Sequence, residues 1–131
     1  MNRAERDLIQ AAIRARDFAY APYSKYPVGA ALLTQSGEIY TGVNVENAAY
    51  PATMCAERVA VFKAVSAGEM NFQAIAIVTD NGGSSCGSCR QVLAEFGLDT
   101  IMLIADQDGS LILRTTVADL LPGAFSTQDL S

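Results

Sequence analysis

Phe72-Gln73-Ala74-Ile75-Ala76-Ile77-Val78-Thr79 is followed by Asp80-Asn81-Gly82-Gly83-Ser84-Ser85, and then by Cys86-Gly87-Ser88-Cys89-Arg90-Gln91-Val92-Leu93-Ala94-Glu95-Phe96. The first eight residues are a nearly continuous apolar run, which suits a strand covered on both faces rather than one shared between core and water. The glycine-rich stretch breaks the run, and residues 86–96 read as a helix stopped by Gly97. A buried strand, a loop and a helix in that order place the chain among the α/β folds.

Working outward, Thr100–Ala105 and Ser110–Arg114 are strands about the turn Asp106-Gln107-Asp108-Gly109, joined by so few residues that they must run antiparallel. Val28–Thr34 and Glu38–Val45 flank Gln35-Ser36-Gly37 and read as a hairpin. Leu8, Ala12, Ala15 and Ala19 recur at helical spacing and predict an amphipathic helix over Asn2–Tyr20, ended by Pro22. Cys55–Ala67 is helical with Gly68 as its stop, and a short helix is expected near Val117–Leu121. The expectation is an α/β, three-layer α/β/α sandwich on a mixed five-stranded sheet, forming one domain over residues 1–131.

Half of the 131 residues are hydrophobic and 18% are charged, a globular balance. No apolar run reaches the roughly 18 residues of a membrane span, and residues 1–6 lack the apolar core of a signal peptide. The net charge is −5, and the nine Lys and Arg form no run. A nucleic-acid partner would ask for a basic footprint, so none is expected. Three cysteines cannot pair completely within one chain, which favours reduced thiols, a cytoplasmic setting and a metal over a disulfide framework.

Those cysteines stand as Cys55-Ala56-Glu57 and Cys86-Gly87-Ser88-Cys89, and the chain has no histidine. Three thiolates would hold one Zn²⁺ per chain and leave its fourth position open for water, with Glu57 placed to shuttle a proton without ligating. If Cys55 and Cys86 each open a helix, the helix dipole and free N–H groups lower their thiol pKa values. Zn²⁺ with three thiolates carries a net −1, so Arg58 and Arg90, each next to a cluster, are expected to hydrogen-bond ligand sulfurs and restore Lewis acidity. A structural zinc knot would want a fourth ligand that the chain does not offer. A redox C-x-x-C would leave Cys55-Ala56-Glu57 without a role.

Read together, Tyr20-Ala21-Pro22-Tyr23-Ser24, Val28-Gly29-Ala30-Ala31-Leu32, Gly42-Val43-Asn44-Val45-Glu46-Asn47-Ala48, Cys55-Ala56-Glu57-Arg58, Cys86-Gly87-Ser88-Cys89-Arg90-Gln91-Val92 and Leu120-Leu121-Pro122-Gly123-Ala124-Phe125 resemble the short, homotetrameric class of cytidine deaminases. The resemblance spans most of the chain. It implies hydrolysis of cytidine and deoxycytidine to the uridines, a small nucleoside as substrate, and a role in pyrimidine salvage. It implies that Asn44 and Glu46 hold the sugar hydroxyls, and that the Ala56 and Glu57 N–H groups face the pyrimidine carbonyl. The Ser84 carbonyl would receive the exocyclic amine, and Phe125 would stack in a neighbouring subunit's site, making the tetramer part of the catalytic unit.

Two positions depart from the family's pattern. Tyr26 stands where phenylalanine is usual, which keeps the ring and adds a hydroxyl near the base. Ser85 stands where proline usually precedes C-x-x-C. Proline restricts the residue before it, so its loss predicts a looser loop and tolerance of N4-modified cytidines. The other readings on this scaffold are a deaminase of a blasticidin-type antibiotic and a non-catalytic zinc or assembly module. Glu57 speaks against the latter.

Overall fold

The structure is a computed structural model and describes residues 1–130. Helix α1 (Arg3–Arg16) leads into a hairpin of β1 (Gly29–Thr34) and β2 (Ile39–Val43), followed by α2 (Ala56–Ser66), β3 (Phe72–Val78), α3 (Gly87–Phe96), β4 (Ile101–Ala105), β5 (Leu111–Thr116) and α4 (Val117–Leu120). The five strands form one sheet in the order β2-β1-β3-β4-β5. β3 and β4 are parallel, with α3 as the crossover between them, and every other neighbouring pair is antiparallel. This is the mixed five-stranded α/β sheet expected from the sequence.

Alternation along β3 decides what each face holds. Ala74, Ala76 and Val78 join Leu8, Ile9, Ala11 and Ala12 of α1 in one core. Ile75 and Ile77 join Ala56, Ala60, Val61 and Ala64 of α2 and Leu93 of α3 in the other. Because each face of the strand meets a helix layer, neither set of side chains reaches water, and the sequence is apolar from Ala74 to Val78. At the hairpin the layers approach closely. A Cβ on Gly29 would lie 2.1 Å from the Ala12 carbonyl oxygen, and one on Gly42 would lie 2.3 Å from the Ala56 carbonyl oxygen. Glycine at these two positions lets α1 and α2 rest on the hairpin backbone from opposite sides.

The ends of α1 and β2 differ from expectation. The first helix ends at Arg16 rather than Tyr20, because the Tyr20 peptide turns away to bond across the chain. Its N–H donates to the Asn44 carbonyl at 2.9 Å, and its carbonyl accepts from the Glu46 N–H at 2.9 Å. The second strand stops at Val43, beyond which Val45 pairs with both Tyr20 and Met54 as isolated bridges. These bridges bring residues 20–28, 44–46 and 53–55 together beside the start of α2.

α1 is capped by Asn2, whose side chain accepts from the Glu5 N–H at 2.9 Å. Glu5 itself is nearly buried and bonds Arg114 of β5, with Nη2 to Oε2 at 2.9 Å. That hydrogen bond holds the Glu5 carboxyl below its ordinary value of 4.5. A folded-state pKa below the unfolded one stabilises the fold above about pH 4.5 and is lost as pH falls through the folded value. Glu5→Gln is therefore expected to be less stable than the parent at neutral pH and to close that gap in acid. Melting curves between pH 3 and 7 that stay parallel would contradict it.

Candidate active site

The cysteines occupy two helix starts on the same face of the sheet. Cys55 caps α2 and Cys86 caps α3. The Cys55 sulfur makes no capping hydrogen bond, whereas the Cys86 sulfur accepts from the Cys89 N–H at 3.4 Å. Cys55 Sγ lies 3.8 Å from Cys86 Sγ, and Cys86 Sγ lies 3.2 Å from Cys89 Sγ. All three sulfurs fall within 4.8 Å of one another. Zinc–sulfur bonds of about 2.3 Å in a tetrahedron require sulfurs about 3.8 Å apart, so the three fit one zinc ion with a fourth position to spare.

The electrostatics suit thiolate ligands. The Cys55 thiol is lowered to about 5, chiefly by hydrogen bonding from Cys89 and then by the Arg58 guanidinium and Cys86, against the opposing effect of burial. Cys89, fully buried and sharing that hydrogen bond, is raised. Arg58 Nη2 donates to Cys55 Sγ at 3.4 Å, as its place three residues along α2 allows. Its Nε is buried and has no partner among the described residues. Arg58→Ala is expected to weaken zinc retention by about 10–100-fold, the usual effect of losing a partner of a ligand atom. Zinc release to a chromogenic chelator at an unchanged rate would refute this.

Arg90 does not do what the sequence suggested. Its Nε donates to Ser85 Oγ at 3.2 Å, Nη1 to the Leu120 carbonyl at 3.0 Å, and Nη2 to Ser84 Oγ at 2.9 Å. One residue past Cys89 is about 100° around the helix, which turns this side chain toward the preceding loop and the C-terminal segment. The loop itself is also not loose. Ser85 is buried, Gly83 N–H donates to Thr79 Oγ1 at 2.8 Å, and Asp80 is paired with Arg16. Hydrogen bonds brace the segment in place of a proline ring.

A cavity of about 270 Å³ opens at the carboxyl end of β3, where ligands of such sheets usually bind. Cys55, Ala56, Glu57 and Cys86 line it together with Tyr26, Asn44, Glu46 and Ser84. Glu57 is 5% exposed, and burial raises its carboxyl above the ordinary value. Asn44 is buried as well: its Oδ1 accepts from the Val28 N–H and its Nδ2 donates to the Tyr26 carbonyl, both at 2.9 Å. Glu46 accepts from the Tyr23 N–H at 2.9 Å, from the Ser24 N–H at 3.1 Å and from the Ser24 hydroxyl. Those bonds, the Ser24 hydroxyl first, hold its carboxyl below the ordinary value. Both residues thus support the 23–28 wall besides facing the cavity.

Phe125 is not among the residues lining its own chain's cavity, and its side chain is 57% exposed. Its carbonyl accepts from Gln91 Nε2 at 2.8 Å. The structure adds Val28, Thr53, Met54, Ile77 and Thr79 to the walls. Val28 and the run containing Ile77 and Thr79 read as strands in the sequence, and strand periodicity does not say which residue ends at a cavity.

A family model described as the cytidine and deoxycytidylate deaminase zinc-binding region matches residues 2–105. The chain is 55% identical over 126 residues to a cytidine deaminase of Sporosarcina psychrophila, covering 95% of this chain and 93% of that one. It is 48% identical over 127 residues to a cytidine deaminase of Halalkalibacterium halodurans, covering 95% and 96%. Among solved structures, the cytidine deaminase of Burkholderia pseudomallei superimposes with a TM-score of 0.88 at 44% identity, covering 95% of this chain and 100% of that one.

Proposed function

The chain belongs to the zinc-binding cytidine and deoxycytidylate deaminase family, a family of C–N hydrolases, and from that membership we propose that it converts free cytidine and deoxycytidine to the uridines, releasing ammonia. The observation that carries the reading is Glu57, buried beside the three cysteines on the wall of a cavity that Asn44 and Glu46 also line. Among the described residues lining that cavity none is Lys or Arg, which favours a neutral nucleoside over a phosphorylated one. No helix of the described residues is long and apolar enough to cross a membrane. We read residues 1–131 as one catalytic domain working in pyrimidine salvage in the cytoplasm.

Cys55, Cys86 and Cys89 would hold the zinc, which when bound supplies Lewis acidity and a water made nucleophilic at neutral pH. Glu57 takes a proton from the attacking water and passes it to N3 of the pyrimidine, then takes the second proton from the hydroxyl added at C4 and passes it to the departing amine. Cytidine and water thus leave as uridine and ammonia. A carboxyl whose proton affinity is raised by burial is better suited than an ordinary one to take up a proton and give it back. The α2 cap leaves the Ala56 and Glu57 N–H groups for the pyrimidine carbonyl, since the Cys55 sulfur does not use them. Asn44 and Glu46 meet the sugar hydroxyls, and the Ser84 carbonyl accepts the amine.

Phe125, exposed and held through its carbonyl by Gln91, is read as completing a neighbouring subunit's cavity in a homotetramer. Some tolerance of N4 substituents belongs to the same reading, because hydrogen bonds that brace a loop can open where a proline ring cannot. The test is loss of the cytosine absorbance band with purified protein, alongside a zinc assay. Turnover with about one zinc per chain is expected. Zinc-loaded protein inert toward cytidine and deoxycytidine would overturn the proposal.

A further inference from the structure

Two segments form opposite walls of the cavity: residues 24–28 contribute Ser24, Tyr26 and Val28, and the loop after β3 contributes Thr79, Gly83 and Ser84. Arg16 ties the two at their roots, with Nε donating to the Pro27 carbonyl at 3.1 Å and the guanidinium paired with Asp80. One residue further along each, the Tyr26 hydroxyl donates to Asn81 Oδ1 at 2.7 Å. That bond joins residues 55 positions apart in the chain. The other bonds of the loop run to α1, to α3, to Ala105 of β4 or within the loop itself.

The surroundings are shaped for this bond. Lys25, just before Tyr26, has φ of 59°, a left-handed conformation that a lysine adopts at a cost. A Cβ on Gly83 would sit 2.4 Å from the Tyr26 hydroxyl oxygen, so the phenol fills space that any side chain there would need. Gly82 has φ of 77° and is backed by Ile112 of β5, whose Cγ1 would be 2.3 Å from an added Cβ. The loop is therefore held against β5 from behind while the phenol meets it from the front.

The chemistry says which end of the cavity this is. The carbon that loses its amine must lie at the cysteine cluster and Glu57, and Gly83 and Ser84 line the cavity on the loop that leads to Cys86. Any group carried on the exocyclic nitrogen has to lie against that loop. We propose that the Tyr26 hydroxyl and the Asn81 side chain form a latch that fixes the cavity width at the amine end, and so sets how large an N4 substituent the site accepts. The proposal rests on the cytosine-nucleoside reading above.

The experiment compares kcat/KM for N4-methylcytidine and for cytidine in the parent, Asn81→Ala, Tyr26→Phe and the double variant. Dissociation constants for the two nucleosides are measured by calorimetry in a Glu57→Gln background. Each single variant is expected to raise the N4-methylcytidine to cytidine ratio by about two- to tenfold, the range one neutral hydrogen bond commands. The double variant should go no further than either single, and the dissociation constants should move the same way. Asn81 is exposed and outside the cavity lining, so it carries the test if Tyr26→Phe folds poorly. A parent that turns over neither nucleoside overturns the deaminase reading and the latch with it. A parent active on cytidine, with variants that leave the ratio unmoved or shift it additively, overturns the latch alone.

Discussion

Glu57→Gln is expected to reduce turnover of cytidine by about 10²–10⁴-fold or more while leaving zinc content and fold unchanged. Glutamine keeps the size and a hydrogen-bonding end but cannot accept and return a proton. The side chain is 5% exposed, so bulk water has little access to act in its place. Glu46 also lines the cavity, but hydrogen bonds from Tyr23 and Ser24 hold its carboxyl below the ordinary value, so it carries a proton less readily than Glu57. The measurement is steady-state kinetics with metal analysis on the same sample. Loss of activity accompanied by loss of zinc would assign Glu57 to holding the site together, and undiminished activity would remove it from the chemistry.

Gly42→Ala is expected to cost about 1–3 kcal/mol and to lower the melting temperature by roughly 5–15 °C. The new Cβ would meet the Ala56 carbonyl oxygen at 2.3 Å and the Ala60 nitrogen at 2.6 Å. Both are backbone atoms of α2, so no side chain can rotate aside. Relief requires the first turn of α2 to lift from β2, and that turn carries Cys55 at its cap and Glu57 within it. Zinc retention should fall along with stability. Gly87→Ala is the comparison, since a Cβ there meets nothing within 4 Å, and it should be neutral. A melt of Gly42→Ala that matches the parent would mean that the contact between α2 and β2 is softer than described.

What could be read from the sequence was what lies within a few residues. The strand and helix bounded by Phe72 and Phe96 follow from an apolar run, a glycine-rich break and a helical stop. The grouping of Cys86 with Cys89 follows from one turn of helix. Arg58 was placed correctly beside Cys55 because three residues along a helix return to the same side. Arg90 follows Cys89 directly, which suggests a bond to sulfur, but its partners are Ser84, Ser85 and Leu120 because one residue along a helix turns the side chain about 100° away. The end of α1 also departs from the local pattern. Ala19 keeps the helical period, but Tyr20 is claimed by Asn44 and Glu46. The bracing of the loop by Tyr26 and Asn81 depends on a meeting of distant segments that no local pattern encodes. Ser85 therefore read as a missing constraint when it is a hydrogen-bonded one.

Cys55 and Cys86 are 31 residues apart, one following the edge hairpin and the other the central strand. An ion gripped by both would bind only where the fold brings the two together, so its binding free energy would add to the stability of the folded chain. The cluster is then a cross-link as much as a catalyst, and a chelator that strips it would loosen the tertiary structure along with stopping the reaction.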